Sequence, residues 1–280
     1  MSSKYTKLVE NTPQVMGILN VTPDSFSDGG HFKSFDCALA QVDKMLEDGA
    51  TIIDIGGEST RPGAQEVSEK EEIQRVIPVL KAIKERFDVV VSVDTSKAVV
   101  MAEAIEQGAD IINDVRALQN EGCIDIIAQS NIPVCLMHMQ GLPRTMQSNP
   151  QYQDVIEDIR TFFTERISIC QQANINKERL ILDPGFGFGK SLSQNYQLLA
   201  NLDKFKAFNL PILAGLSRKS MIGNLLNRNV EHRLAGSLAT ALLAAQKGAQ
   251  IIRVHDVKET VDALTILNAV NDPQSLLSKI

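Results

Sequence analysis

Paired cysteines, blocks of one charge and long apolar runs are all missing from this 280-residue sequence. Its four cysteines, Cys37, Cys123, Cys135 and Cys170, form no Cys-x-x-Cys pair and stand at no metal-like spacing from the four histidines, which argues against a zinc site or a disulfide framework. Most of these thiols are expected in the core. No block of consecutive Lys or Arg longer than the pair Arg218-Lys219 occurs and the formal charge is −6, so the chain lacks the electrostatic footprint of a nucleic-acid binder. The longest apolar-leaning stretch, 234–245, is broken by Gly236 and Ser237 and is too short to span a bilayer. The N-terminus has no apolar segment of the secretory type. A cytoplasmic protein with small-molecule partners is expected, with neither nucleic acid nor membrane among them. No Ser/Gly/Pro-rich linker divides the chain, so residues 1–280 read as one domain.

What is present is an ordinary globular composition, 44% apolar and 22% charged, arranged as short β-branched runs alternating with helical periods. Strands are expected at 15–21, 51–56, 89–94, 111–115, 133–139, 180–183, 212–216 and 251–255. Helices are expected at 35–47, 68–86, 97–107, 122–129, 152–173, 194–202, 232–246 and 258–270. A Gly-Ala pair preceding an apolar strand recurs at Gly49-Ala50, Gly108-Ala109 and Gly248-Ala249, the mark of one αβ joint used three times. Strands of near-continuous Val/Ile/Leu content are buried on both faces. The fold class is therefore α/β, a (β/α)8 TIM barrel, with an open doubly wound sheet as the alternative.

Active sites of such barrels lie at the C-terminal ends of the strands, and the residues that end these strands are unusually polar: Asn20, Asp54 and Glu58, Asp94, Asn113 and Asp114, His138, Asp183, Ser217 with Lys219, and Arg253 with His255. A single Asp, Asn or Ser there is readily a helix cap. Caps do not account for Lys219, Arg253 or His255. The first connection, 20–30, is longer than most βα loops, and the second combines Gly56, Gly57 and Gly63 with Arg61, a composition suited to closing over an anion. Arg253 and His255 share a strand face and suit a phosphate, or else are neutralised by carboxylates such as Asp54. Lys219 falls in the first turn of a helix, where the dipole disfavours a cation, and that helix start could itself receive a carboxylate or phosphate. Asp94, Asn113 and Asp183, from three strands, can read the ring N–H and amino donors of a heterocycle. The glycine-rich run at 185–191 resembles a phosphate loop but has Pro184 where the Walker pattern needs Gly, and Lys190 where a G-x-G-x-x-G needs its third Gly. It reads instead as a lip exposing Phe186 or Phe188 for stacking.

The segments Met16-Gly17-Ile18-Leu19-Asn20-Val21-Thr22-Pro23-Asp24-Ser25-Phe26-Ser27-Asp28-Gly29-Gly30 and Asp54-Ile55-Gly56-Gly57-Glu58-Ser59-Thr60-Arg61-Pro62-Gly63 resemble the two signatures of the bacterial dihydropteroate synthase family. The resemblance continues through Ser92-Val93-Asp94-Thr95, Ile112-Asn113-Asp114, Met137-His138-Met139, the run from Leu182 to Lys190, Leu216-Ser217-Arg218-Lys219-Ser220 and Arg253-Val254-His255. It implies a TIM barrel that joins 6-hydroxymethyl-7,8-dihydropterin diphosphate to p-aminobenzoate, giving 7,8-dihydropteroate and pyrophosphate for folate synthesis. By that resemblance Asp94, Asn113, Asp183 and Lys219 hold the pterin ring, and Val115, Met137 and Phe188 wall it. Asn20 ligates Mg²⁺ and the diphosphate; Arg61, Arg253 and His255 hold diphosphate oxygens; Phe26, Thr60, Pro62, Lys219 and Ser220 frame p-aminobenzoate. Asp94, Asp183, Lys219, Arg253 and His255 carry the catalysis. Sensitivity to sulfonamides and a homodimer are further implications. The competing readings are a methyltetrahydrofolate-type pterin methyltransferase and a catalytically silent pterin-binding paralogue. Ser59-Thr60-Arg61-Pro62-Gly63 and Ser217-Arg218-Lys219-Ser220 weigh against the first, and the presence of Asn20, Arg61, Lys219 and Arg253 against the second.

Overall fold

The computed structural model describes residues 12–21, 30–59, 66–141, 146 and 150–274, with side chains in the first helix described from Phe35 onward. Eight strands, β1 (Gln14–Asn20), β2 (Ile52–Gly56), β3 (Val90–Asp94), β4 (Ile111–Asp114), β5 (Val134–Met137), β6 (Leu180–Asp183), β7 (Leu213–Ala214) and β8 (Ile251–Val254), follow the expected positions. Every pairing is parallel, in the order β6-β5-β4-β3-β2-β1-β8-β7. A bridge between Leu182 and Ile212 joins the two ends, so the sheet closes on itself as the expected barrel.

Alternation along each strand divides the core in two. Met16, Ile52, Val90, Ile111, Cys135, Ile181, Leu213 and Ile251, one from each strand, form an apolar ring inside the barrel. Their outward neighbours, among them Leu19, Ile53, Val91, Ile112, Leu136, Leu182 and Ile252, pack against the helices in a second, larger cluster.

Around the barrel lie α1 (Gly30–Glu47), α2 (Glu69–Arg86), α3 (Ala98–Glu106), α4 (Cys123–Ala128), α5 (Val155–Gln172), α6 (Leu192–Ala200), α7 (Ser220–Leu226), α8 (Leu234–Gln246) and α9 (Val257–Asn271). Local chemistry starts them: Ser68 accepts from Glu71 N, Asp154 from Ile156 N and Glu157 N, and Ser191 with Gln194 forms a capping box. The repeated Gly-Ala joint is a helix stop. Gly49, Gly108 and Gly248 have φ of 96°, 91° and 100°, and the following alanine N–H reaches five residues back, to Met45 O, Ala104 O and Ala244 O. That is the hydrogen-bond pattern of a Schellman motif.

Two differences from expectation have local causes. The seventh strand is only Leu213–Ala214 instead of 212–216, because the Ile212 N–H donates to the Gln250 side chain, leaving Ile212 an isolated bridge to Leu182, and Gly215 already faces the barrel mouth. The helix beginning at Ser220 is a separate seven-residue element, α7, ended by Asn227 in the left-handed region at φ 52°. No helix among the described residues is long and apolar enough to cross a membrane.

Candidate active site

The apolar ring locates the site. Two residues onward from its members, toward the C-terminal ends, stand Ile18, Asp54, Ser92, Asn113, Met137, Asp183, Gly215 and Arg253; two further, at the ends of β1 to β4, stand Asn20, Gly56, Asp94 and Val115. The barrel interior thus becomes largely polar within one step. A cavity of about 340 Å³, including space open to solvent, lies there. Asp94, Asn113, Val115, Met137 and Asp183 line it from the strand ends, with Gly215 and Arg253. Phe186, Phe188 and Lys219 complete the wall from the connections after β6 and β7. All seven residues expected around the pterin ring therefore share one pocket.

Arg253 is tied to two carboxylates: its Nε donates to Asp54 Oδ2 at 2.6 Å and its Nη2 to Asp94 Oδ2 at 2.9 Å. Asn113 Nδ2 donates to the same Asp54 oxygen at 3.2 Å. Burial disfavours the Arg253 cation, but Asp54 and Asp94 outweigh it and hold the guanidinium above its ordinary pKa. Burial pushes Asp94 up to about 7, with Arg253 opposing and Asp54 adding to the rise. Asp183 is also raised by burial, against the Gly185 N–H it accepts at 2.8 Å and the charge of Lys219. His255 lies beyond the end of β8, exposed, with Nδ1 3.1 Å from Ser217 Oγ. The two residues thus occupy different levels, Arg253 within the pocket and His255 at the rim.

Lys219 differs from expectation. It is the N-cap of α7 and not part of its first turn, with extended backbone at φ −60° and ψ 153°. Its side chain turns away from the helix, placing Nζ 4.1 Å from the centre of the Phe188 ring. Burial lowers its ammonium to about 8, opposed by Asp183. The glycine-rich lip also divides its two rings: Phe186 is packed into the core at 1% exposure, and Phe188 carries the ammonium.

Asn20, half-buried at the end of β1, has Oδ1 beside Gly56. Ser220 is exposed as the first residue of α7. Phe26, Thr60, Arg61 and Pro62 lie outside the described residues. The base of the second loop is fixed: Glu58 Oε1 accepts from Val67 N at 3.0 Å, and Lys97 Nζ bonds Glu58 and Glu72. No cluster of three His, Cys, Asp or Glu able to hold a metal occurs among the described residues. Cys123, Cys135 and Cys170 are buried as expected, and Cys37 is exposed.

Asp54, fully buried, pairs with Arg253 as the sequence allowed, and also accepts from Asn113. Sequence reasoning missed two participants. Lys190 is buried behind Phe188. Lys97 closes the Glu58–Glu72 cluster from a strand away, and no local pattern announces that contact.

Residues 16–255 match the family of pterin binding enzymes. The dihydropteroate synthase of Escherichia coli K12 is 59% identical over 264 residues, covering 94% of each chain. Among solved structures, the Yersinia pestis dihydropteroate synthase in complex with a sulfonamide drug superposes with a TM-score of 0.89 at 58% identity, covering 93% of this chain and 95% of that one. The Xanthomonas albilineans dihydropteroate synthase with 4-aminobenzoic acid gives 0.88 at 50% identity, covering 93% and 94%. A polar barrel mouth of this composition, with sequence identity running through nearly the whole chain, places the protein: it belongs to the dihydropteroate synthase family of pterin-binding enzymes.

Proposed function

We propose that the barrel mouth performs the dihydropteroate synthase reaction, joining 6-hydroxymethyl-7,8-dihydropterin diphosphate to p-aminobenzoate with release of pyrophosphate. The observation that carries this reading is the convergence of Asp94, Asn113, Asp183 and Lys219 on one pocket with Arg253. Carboxylates and an amide accept from and donate to the edge of a pterin, and the apolar faces of Val115, Met137 and Phe188 enclose its ring.

The C–O bond between the pterin methylene and the diphosphate breaks first, and the electron pair leaves with pyrophosphate. The ring shares the resulting positive charge, which Asp94 and Asp183 stabilise electrostatically. The amine of p-aminobenzoate then forms the C–N bond and loses a proton, so no protein nucleophile is required. Arg253, His255 and Arg61 meet the negative charge that develops on the leaving group. For Arg253 this means exchanging part of its hold on Asp54 and Asp94 for phosphate oxygens. Phe26, Thr60, Pro62, Lys219 and Ser220 frame p-aminobenzoate, where sulfonamides compete.

The donor chemistry at Asn20 fits Mg²⁺: a neutral amide oxygen at the rim leaves most of the coordination sphere to diphosphate oxygens and water, as this hard cation prefers. Bound there, Mg²⁺ would neutralise diphosphate charge. The chain is read as a cytoplasmic homodimer. Exposed Leu243 on α8, with Ile266 and Val270 on the neighbouring α9, supplies apolar surface for a self-complementary contact.

Inhibition kinetics test the assignment of the p-aminobenzoate subsite. A sulfonamide should inhibit dihydropteroate formation competitively with p-aminobenzoate. Inhibition that p-aminobenzoate does not relieve would contradict it.

A further inference from the structure

Lys190 is a lysine with almost no solvent contact, 2% exposed, and no carboxylate within bonding distance among the described residues. Its Nζ donates to Gly185 O at 2.8 Å and Phe188 O at 3.1 Å, and lies 3.0 Å from His138 Nδ1. Burial lowers the ammonium to about 7 against the pull of Asp183, and burial with the Lys190 charge lowers His138 to about 2. His138 is therefore neutral, and its Nδ1 accepts, because an ammonium has only donors. Its ring is itself fixed, edge-on to Phe162 at 4.9 Å.

The turn that Lys190 fastens has no slack. A Cβ on Gly185 would stand 1.9 Å from His138 O, and one on Gly189 2.4 Å from Gln140 O, so the turn rests directly on the backbone leaving β5. Tyr152 Oη donates to Gly189 O at 2.8 Å, and Asn195 Oδ1 accepts from Gly187 N at 2.7 Å. Lys190 holds both ends of the segment that carries Phe186, Gly187 and Phe188. The Phe188 ring in turn lies under the Lys219 ammonium.

We propose that Lys190, braced by His138, is a positioning residue of the pterin pocket: it fixes the turn at 185–189 so that Phe188, and through it Lys219, stand where the pterin ring docks. The proposal rests on the pocket being the pterin site. An apolar side chain of similar length would leave Gly185 O, Phe188 O and His138 Nδ1 without their donor in a buried place, and the turn would shift to find others.

The test is calorimetric titration with 6-hydroxymethyl-7,8-dihydropterin diphosphate, together with melting curves. Lys190→Met should weaken pterin diphosphate binding about 10-fold or more, since the turn loses its buried donor and the ring wall moves with it. His138→Leu should repeat this loss. His138→Asn, which keeps an acceptor at the place of Nδ1, should restore most of the affinity. A lower melting temperature with unchanged pterin affinity in Lys190→Met or His138→Leu would overturn the proposal, leaving Lys190 to folding alone. If Lys190→Met does not fold, the two His138 variants decide, and equal affinities in that pair would overturn it. Failure of the parent protein to bind the pterin diphosphate would instead remove the reading of the pocket.

Discussion

Asp54 and Arg253 meet across β1: Arg253 Nε on β8 donates to Asp54 Oδ2 on β2 at 2.6 Å. The carboxylate is fully buried and the guanidinium side chain is 21% exposed, so one partner is structural and the other faces the pocket. This contact sets the direction from which Arg253 can approach a leaving group.

Asp54→Asn should therefore act through Arg253. Removing one partner of a buried pair leaves a cation poorly compensated and free to turn toward Asp94. The expected result is a fall in turnover of about 10- to 100-fold, the range that a small misplacement of a positioned group produces. Steady-state kinetics check it; unchanged turnover would remove the anchoring role.

Asp94 gives a pH signature. Its pKa rises from 3.8 unfolded to about 7 folded, so between those values the folded chain binds more protons than the unfolded one. The stability linked to Asp94 is present below about pH 4 and lost as pH rises through about 7. Asp94→Asn abolishes that loss. Melting curves of parent and variant should diverge in the variant's favour between pH 5 and pH 8, whereas a constant difference would contradict the raised pKa. Turnover of the same variant should fall by about 100-fold or more, since it loses a charge aimed at the developing cation.

Two glycines should respond oppositely to alanine. Gly185 has φ 72° and no room for a Cβ, so Gly185→Ala should destabilise the chain by about 3 kcal/mol or prevent folding. At Gly215 the nearest atom to an added Cβ is Arg253 Cβ at 3.9 Å, an ordinary contact. Gly215→Ala should melt like the parent yet bind pterin more weakly, because Gly215 lines the pocket. Calorimetry on both variants separates steric cost from lost pocket space.

Lys97→Met should leave Glu72, 1% exposed, with no cation beside it, at a cost of about 3 kcal/mol. Adding Glu72→Gln should recover about half of that loss, because the uncompensated charge is then gone. Denaturant unfolding of the single and double variants gives the coupling; strict additivity would show that the two residues do not interact.

Ile266→Glu and Val270→Glu replace side chains that are 67% and 69% exposed. In a dimer built on α8 and α9 each should shift the protein toward monomer without unfolding it, as read by sedimentation. An unchanged dimer would move the interface elsewhere, and a monomeric parent protein would remove the homodimer.

Much of the architecture was legible because parallel strands carry their register in their composition. Leu180–Asp183 matches the expected strand at both ends, and the Gly-Ala joints mark three helix stops in the sequence itself. Asp94, Asn113, Asp183 and Arg253 were legible for the same reason, since each lies at the end of a strand, whereas Val115, Met137 and the choice of Phe188 were legible only through the family resemblance. Legibility failed where a contact is set by packing between distant elements. Nothing near Lys97 in sequence indicates Glu58 or Glu72, and nothing at Lys190 indicates His138, 52 residues earlier. Phe186 and Phe188 are indistinguishable in a glycine-rich string, and only the backbone at Gly185 and Gly187 decides which ring faces the core. The first-turn reading of Lys219 failed because Arg218, at φ 57°, reverses the chain one residue before it.

The most direct measurement is chromatographic detection of dihydropteroate, with parallel assay of pyrophosphate, from purified protein given the pterin diphosphate, p-aminobenzoate and Mg²⁺. The account predicts equal amounts of the two products, formed only when both substrates and Mg²⁺ are present. Tight pterin binding without dihydropteroate would contradict it and identify the pocket as a binding site alone.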